Sequence, residues 1–248
     1  DQEGHTRAVM KIQEGCSNRC TYCIIPSVRG PIRSRSPERI RAEAAELAAA
    51  GFKEIVLTGI HLSSYGLELQ NGTTLLDAVR ILQETPGLAR IRLGSLEPTV
   101  ATAVFAEALK GMDKVCPQFH LALQSGCETV LQRMKRRYTL AEYSRGVENL
   151  RAQWPDLALT TDVLTGFPGE TDEEFVETVA FARKMGFAKI HCFPYSLRAG
   201  TAAASMEQVA AQIKKSRTGE LIRVSSELEH SFAEAMVGKE VEILVEQD

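Results

Sequence analysis

Val9-Met-Lys-Ile-Gln-Glu-Gly-Cys16-Ser-Asn-Arg-Cys20-Thr-Tyr-Cys23 is a strand entry followed by a polar loop that carries three thiols. Val9 to Gln13 is a short apolar run that fits a buried strand. Gly15, Ser17, Asn18 and Arg19 make the loop behind it unlike core. A loop leaving the carboxyl end of a strand is where α/β barrels build their sites. The spacing of Cys16, Cys20 and Cys23 thus puts three soft ligands on one short segment of that face.

Outward from this segment the same unit recurs. Further strands are predicted near Glu54 to Thr58, Arg90 to Ser95, Gln118 to Leu123, Leu159 to Leu164 and Lys189 to Phe193, with stretches of helical period between them. Thr171 with Glu174 and Thr139 with Glu142 read as capping boxes, and Ser36 before Pro37 as a further helix start. Gly51, Gly111 and Gly186 read as helix stops in the left-handed conformation. Six such units predict an α/β fold, an open or partial (βα)6 barrel rather than a closed eight-fold one. A long polar helix is expected over Ser205 to Ala235, with Ile213, Leu221, Val224 and Leu228 as its apolar positions, then a strand-like run from Val241 to Glu246.

Composition bounds the rest. With 248 residues, 44% of them hydrophobic, the chain can bury one main core. Its net charge of -3 excludes a global field that draws nucleic acid or an anionic membrane, so any RNA contact is local. The sequence contains no run of about 18 apolar residues and its start lacks signal-peptide character, so the expectation is a cytoplasmic protein without a membrane partner. Six cysteines are too sparse for a disulfide scaffold; Cys116, Cys127 and Cys192 read as small core residues. The start at Asp1 and the end inside a strand-like run predict a piece of a longer protein.

A four-iron cluster needs four ligands, and three thiolates leave one iron open for an exogenous chelate. The amino and carboxylate groups of S-adenosylmethionine can supply it. The competing reading is a structural zinc, whose fourth ligand, His120 or His191, would have to come through the fold.

The C-x3-C-x2-C loop, with Tyr22 before its last cysteine, is similar to the signature of the radical S-adenosylmethionine superfamily. Five further segments narrow the likeness. Cys23-Ile-Ile-Pro-Ser-Val-Arg-Gly-Pro31 with Arg33-Ser-Arg35, Thr58-Gly-Ile-His-Leu-Ser-Ser-Tyr-Gly66, Ser95-Leu-Glu-Pro98, Leu123-Gln-Ser-Gly126 and Thr161-Asp-Val-Leu-Thr-Gly-Phe-Pro-Gly-Glu170 resemble the methylthiotransferases, from about Met10 to the end of the chain. Phe193-Pro-Tyr-Ser-Leu-Arg-Ala-Gly-Thr201 also resembles them, with Ala199 and Ala202 where proline is common.

The resemblance implies sulfur insertion at an unreactive C–H bond and methylation of that sulfur, with a [4Fe-4S] cluster and S-adenosylmethionine as cofactors. Cys16, Cys20 and Cys23 would hold the cluster. Gly59 would meet the cofactor's amino end, and Gly166 its adenine edge; Tyr22, Ser95, Glu97, Gln124, Asp162 and Phe193 complete the implied cofactor contacts. The run Gly59 to Gly66 most resembles the branch acting on threonylcarbamoyladenosine beside the tRNA anticodon. Isopentenyladenosine in tRNA or a ribosomal protein are the alternative substrates, and an RNA-binding module with a structural metal the non-catalytic alternative. Arg29, Arg33 and Arg35, and a second run with Arg136 and Arg137, are expected to meet phosphates of the tRNA anticodon loop. The resemblance also implies a second [4Fe-4S] cluster in an amino-terminal domain, and an electron donor such as flavodoxin or ferredoxin. The expected division is a core with its helical extension over 1–236, then over 237–248 the start of a truncated small β-barrel (TRAM-like) RNA-binding domain.

Overall fold

A computed structural model describes residues 6–245. Strand β1 (Arg7–Glu14) runs parallel to β3 (Glu54–Gly59), and β3 runs parallel to β4 (Arg90–Leu93). A second parallel set is formed by β5 (Gln118–His120), β6 (Ala158–Thr165) and β7 (Lys189–Pro194). Isolated parallel bridges, Ile91 to Val115 and Leu96 to Leu121, join the two sets, so six parallel strands form one curled half-barrel. The two-residue β2 (Arg33–Ser34) adds an antiparallel edge on β1 through Gln13 and Ser34. It was not expected, because two residues carry no periodicity.

The strands pair with covering helices: α1 (Ile25–Arg29), α2 (Pro37–Ala49), α3 (Leu75–Gln83), α4 (Ala103–Lys110), α5 (Glu128–Arg133), α6 (Leu140–Gln153) and α7 (Asp172–Met185). Both expected capping boxes form, and the Ser36 hydroxyl accepts from the Arg39 amide at the start of α2. Gly186 is left-handed, as a helix stop requires. Gly111 instead stays right-handed at φ -70°, because α4 ends in a tightened turn where the Met112 amide reaches the Leu109 carbonyl.

Alternation along each strand sorts the two faces of the sheet. Met10, Ile55, Leu57, Ile91, Phe119, Leu121 and Leu159 are buried in the main core. Tyr143 of α6 is fully buried there and meets Phe181 and Phe187 edge-on. The other face is polar and self-paired: Arg92 donates to Gln118, Gln118 to Thr160, and His120 joins Thr160 and Asp162 across β4, β5 and β6. At its lower end Glu54 is buried and held by Arg90 and Arg92.

Helix α8 (Ala211–Met236) starts later than expected, since Ala202–Ser205 forms a separate 3-10 turn. It covers the edge of the sheet: Leu221 and Val224 are buried, and the Ser225 hydroxyl accepts from the Ile190 amide of β7. Residues 239–245 carry no regular structure, so no strand forms over Val241 to Val245; the last residue of that expected run, Glu246, lies outside the described ones. No helix among the described residues is long and apolar enough to cross a membrane.

Candidate functional site

The cysteine loop leaves β1 through Gly15, whose φ is +72°. A Cβ there would lie 1.9 Å from the Pro31 carbonyl oxygen, so only glycine lets the chain turn this tightly. The Cys16 amide then donates to the Gly30 carbonyl, and the Cys23 amide to Cys20. Cys16, Cys20 and Cys23 are free thiols that line one cavity with Asn18, Tyr22, His61, Ser95, Glu97, Gln124, Arg136 and Asp162. Burial pushes the Cys16 and Cys23 thiols up from their ordinary pKa.

Five of the six parallel strands, all but β7, contribute to that cavity. Ser95 and Glu97 follow β4, and Asp162 lies on β6. Gln124, after β5, takes φ 65°, its amide donates to Asp162, and its carbonyl accepts from Leu164. The left-handed turn thereby continues the sheet after β5 ends. Tyr22 packs edge-on against Phe167 at 6.3 Å, and Phe167 against Tyr195 at 5.6 Å, a second small core behind the loop.

Glu97 is the electrostatic centre. Burial would raise its pKa, but the hydrogen bond and charge of His61, with Arg136 and Arg137, outweigh burial and hold it below the usual carboxylate value. Its Oε2 is 2.9 Å from His61 Nε2, and its Oε1 is 3.1 Å from both Asn18 Nδ2 and Arg136 Nη2. Asn18 and His61 had no sequence signal of their own, one lying inside the cysteine loop and the other after β3.

The remaining expected contacts divide. Gly59 ends β3, and a Cβ there would meet Gln13 at 2.8 Å; Gln13 in turn accepts from the His61 amide. Gly166 has φ +65°, lies against Lys214 and donates to buried Glu170. Phe193 lies one residue before the end of β7 and is 49% exposed. These three lie at strand ends on the site's face but do not line the cavity.

Of the expected RNA contacts, Arg29, Arg33, Arg35 and Arg137 are exposed, Arg35 being paired with Glu43. Arg136 differs: its side chain is only 8% exposed and points at Glu97 and Cys20, so it lines the cavity rather than the exposed surface where Arg137 lies. Cys116 and Cys127 are buried as expected, and Cys192 is partly so.

The donor set fits an iron–sulfur cluster. Three thiols from one loop share a cavity with polar groups that could meet a chelating ligand, and a guanidinium is at hand to offset thiolate charge. Among the described residues no three His, Cys, Asp or Glu side chains gather closely enough for one ion. His120 is instead engaged with Thr160 and Asp162, not with the cysteine loop.

Residues 10–182 match the Radical SAM superfamily. The chain is 44% identical over 245 residues to the threonylcarbamoyladenosine tRNA methylthiotransferase MtaB of Bacillus subtilis, covering 98% of this chain and 54% of that protein. It is 38% identical to the tRNA-2-methylthio-N(6)-dimethylallyladenosine synthase of Acetivibrio thermocellus, covering 99% and 52%. The chain thus spans about half the length of these curated relatives. In fold it resembles the radical S-adenosylmethionine methyltransferase TsrM of Kitasatospora setae, with a TM-score of 0.67 at 21% identity over 82% of this chain and 38% of that one.

Proposed function

The chain belongs to the radical SAM superfamily, and on that premise we propose that it is the catalytic core of a tRNA methylthiotransferase acting on threonylcarbamoyladenosine beside the anticodon. The observation that carries this reading is the convergence of Cys16, Cys20 and Cys23 with Ser95, Glu97, Gln124 and Asp162 on one cavity at the carboxyl ends of the strands. The 44% identity to the Bacillus subtilis enzyme supports the substrate.

Cys16, Cys20 and Cys23 would hold a [4Fe-4S] cluster, which when bound supplies the electron that cleaves S-adenosylmethionine to a 5′-deoxyadenosyl radical. The chain's own part is binding and orientation. Glu97 stays ionised inside its network, and its oxygens accept three side-chain contacts, from Asn18, Arg136 and His61. A carboxylate has about four acceptor positions, which leaves one to meet the ammonium group of the cofactor's methionine end. Ser95, Gln124 and Asp162 face the same cavity with hydroxyl, amide and carboxylate groups suited to carboxylate and ribose. Tyr22 and the Phe167 ring behind it form the apolar wall of the loop that excludes water from the cavity. Gly59, Gly166 and Phe193 complete the face on which the cofactor would lie.

The exposed Arg29, Arg33, Arg35 and Arg137 would meet phosphates of the anticodon loop while the target base is splayed inward. A cytoplasmic location, a flavodoxin- or ferredoxin-like electron donor, a second cluster in a further domain, and a TRAM-like domain opening at 237–248 belong to the same reading. Similarity at 38% to an enzyme named for dimethylallyladenosine keeps that base as the second reading.

The test is anaerobic reconstitution with iron and sulfide, dithionite reduction, and chromatography for 5′-deoxyadenosine. Product lost in Cys16→Ala supports radical cleavage. Mass spectrometry of tRNA from cells lacking the gene decides the base: loss of the methylthio group from threonylcarbamoyladenosine supports the first reading, and loss from dimethylallyladenosine the second.

A further inference from the structure

The middle cysteine is held from far along the chain. Thr21, next to Cys20 and buried, donates its amide to the Met134 carbonyl at 3.0 Å and its hydroxyl to the Arg133 carbonyl at 2.9 Å. The carbonyls belong to the last residue of α5 and to Met134, which caps it at the start of a turn. The turn is closed by Lys135 in the left-handed region, at φ 54°, a strained state for a residue with a side chain. That kink brings Arg136 inward. Its Nη1 is 3.2 Å from Cys20 Sγ, its Nη2 is 3.1 Å from Glu97, and its Nε donates to Tyr138 Oη at 3.2 Å. The guanidinium also lies 5.0 Å from the Tyr138 ring centroid, and Tyr138 is anchored by donating to the carbonyls of Ala122 and Leu123. A buried guanidinium with all three nitrogens engaged cannot turn to solvent without giving up its contacts to Glu97 and Cys20.

We propose that Arg136 is a positioning residue for the cluster: it fixes Cys20 and, by donating an N–H to its sulfur, raises the cluster's reduction potential. The physical reason is that a hydrogen bond to a ligating sulfur withdraws charge and stabilises the reduced, more negative cluster. The guanidinium adds its positive charge in a site sheltered from water, where such interactions are strong. This role rests on the reading of Cys16, Cys20 and Cys23 as cluster ligands.

The experiment is redox titration, followed by electron paramagnetic resonance and run without S-adenosylmethionine, on the reconstituted chain and its R136M and R136K variants. Wild-type protein that takes up no iron and sulfide would sink the cluster reading itself and is thereby separated from a failure of this role. With a cluster bound, R136M is expected to shift to a more negative potential with an altered spectrum, and R136K to fall between it and wild type. An R136M protein of full iron content with wild-type potential overturns the proposal. Should R136M load poorly, R136K decides: one ammonium cannot span Glu97 and Cys20 together, so a wild-type potential there overturns the proposal and a negative shift upholds it. Y138F, which releases Nε while keeping the charge, is expected to shift the potential in the same direction by less.

Discussion

Glu174 shows how one side chain couples the cluster loop to the scaffold. Both of its carboxylate oxygens accept from Arg133, at 2.8 and 2.5 Å, and Thr129 donates to it as well. The Arg133 hydrogen bonds, acting against burial, hold its pKa down at about 2 instead of 4.5. A carboxylate whose folded pKa is depressed contributes stability above its unfolded pKa, and that contribution is lost as pH falls toward the folded one. Glu174→Gln is therefore expected to cost about 2 kcal/mol near neutrality, after allowance for solvent screening of the partly exposed Arg133. Chemical unfolding of both proteins across the acid range checks this: the difference should shrink between pH 4.5 and 2. At the start of the cysteine loop, Gly15→Ala combines a left-handed φ with a methyl group placed on the Pro31 carbonyl. It should destabilise by about 1–3 kcal/mol, read by thermal melting, and lower the iron bound after reconstitution. Residue identity made the three cysteines legible in the sequence. The inward direction of Arg136 is not legible, because a run of like charges looks the same whether it faces water or turns inward; its direction is set by the kink at Lys135 and by Tyr138.

Elements were legible where their punctuation is local. The boxes Thr139 with Glu142 and Thr171 with Glu174 fixed two helix starts, since each cap is satisfied within four residues. The start of α8 was not legible: residues 205–210 have a helical composition, yet the chain is occupied there with the 3-10 turn at Ala202–Ser205 that carries Ala203, whose amide donates to the Thr21 carbonyl. What anchors α8 is also long-range. Arg217 is buried and donates to the carbonyl and carboxylate of Glu170 and to Asp172, with its guanidinium 5.6 Å from the Phe175 ring centroid. Burial raises the Glu170 pKa, partly offset by the Gly166 amide and Arg217. Removing one partner of a buried pair strands the other, so Arg217→Met is expected to cost about 3–5 kcal/mol in urea unfolding. The double variant with Glu170→Gln should recover part of that loss, and strict additivity of the two would contradict the pairing.

At the scale of the molecule, the sequence made the six βα units readable because the strands are short apolar runs and α2, α4, α6 and α7 carry local side-chain caps. The joining of the two strand sets was hidden, because it depends on two isolated bridges, Ile91 to Val115 and Leu96 to Leu121, pairings that leave no local pattern. Charge is likewise a whole-molecule property with a local exception. The net charge is -3, yet Arg29, Arg33, Arg35 and Arg137 lie exposed, and among the described residues only Arg35 of these is in direct ion-pair contact with a carboxylate. On the proposed reading, RNA affinity would come from a few phosphates set against an overall repulsion that salt screens equally. If four arginines each neutralise one phosphate of an unpaired loop, log affinity should fall against log salt with a slope of about -3. Binding of an anticodon stem-loop to this chain, measured from low to physiological salt, checks the number. Arg29→Gln with Arg33→Gln should reduce the slope by roughly half and weaken binding alike for different loop sequences, because contacts to phosphate carry no base information. Arg136→Met, with its side chain buried, should leave the slope unchanged, and a reduced slope in that variant would return Arg136 to the RNA-facing set.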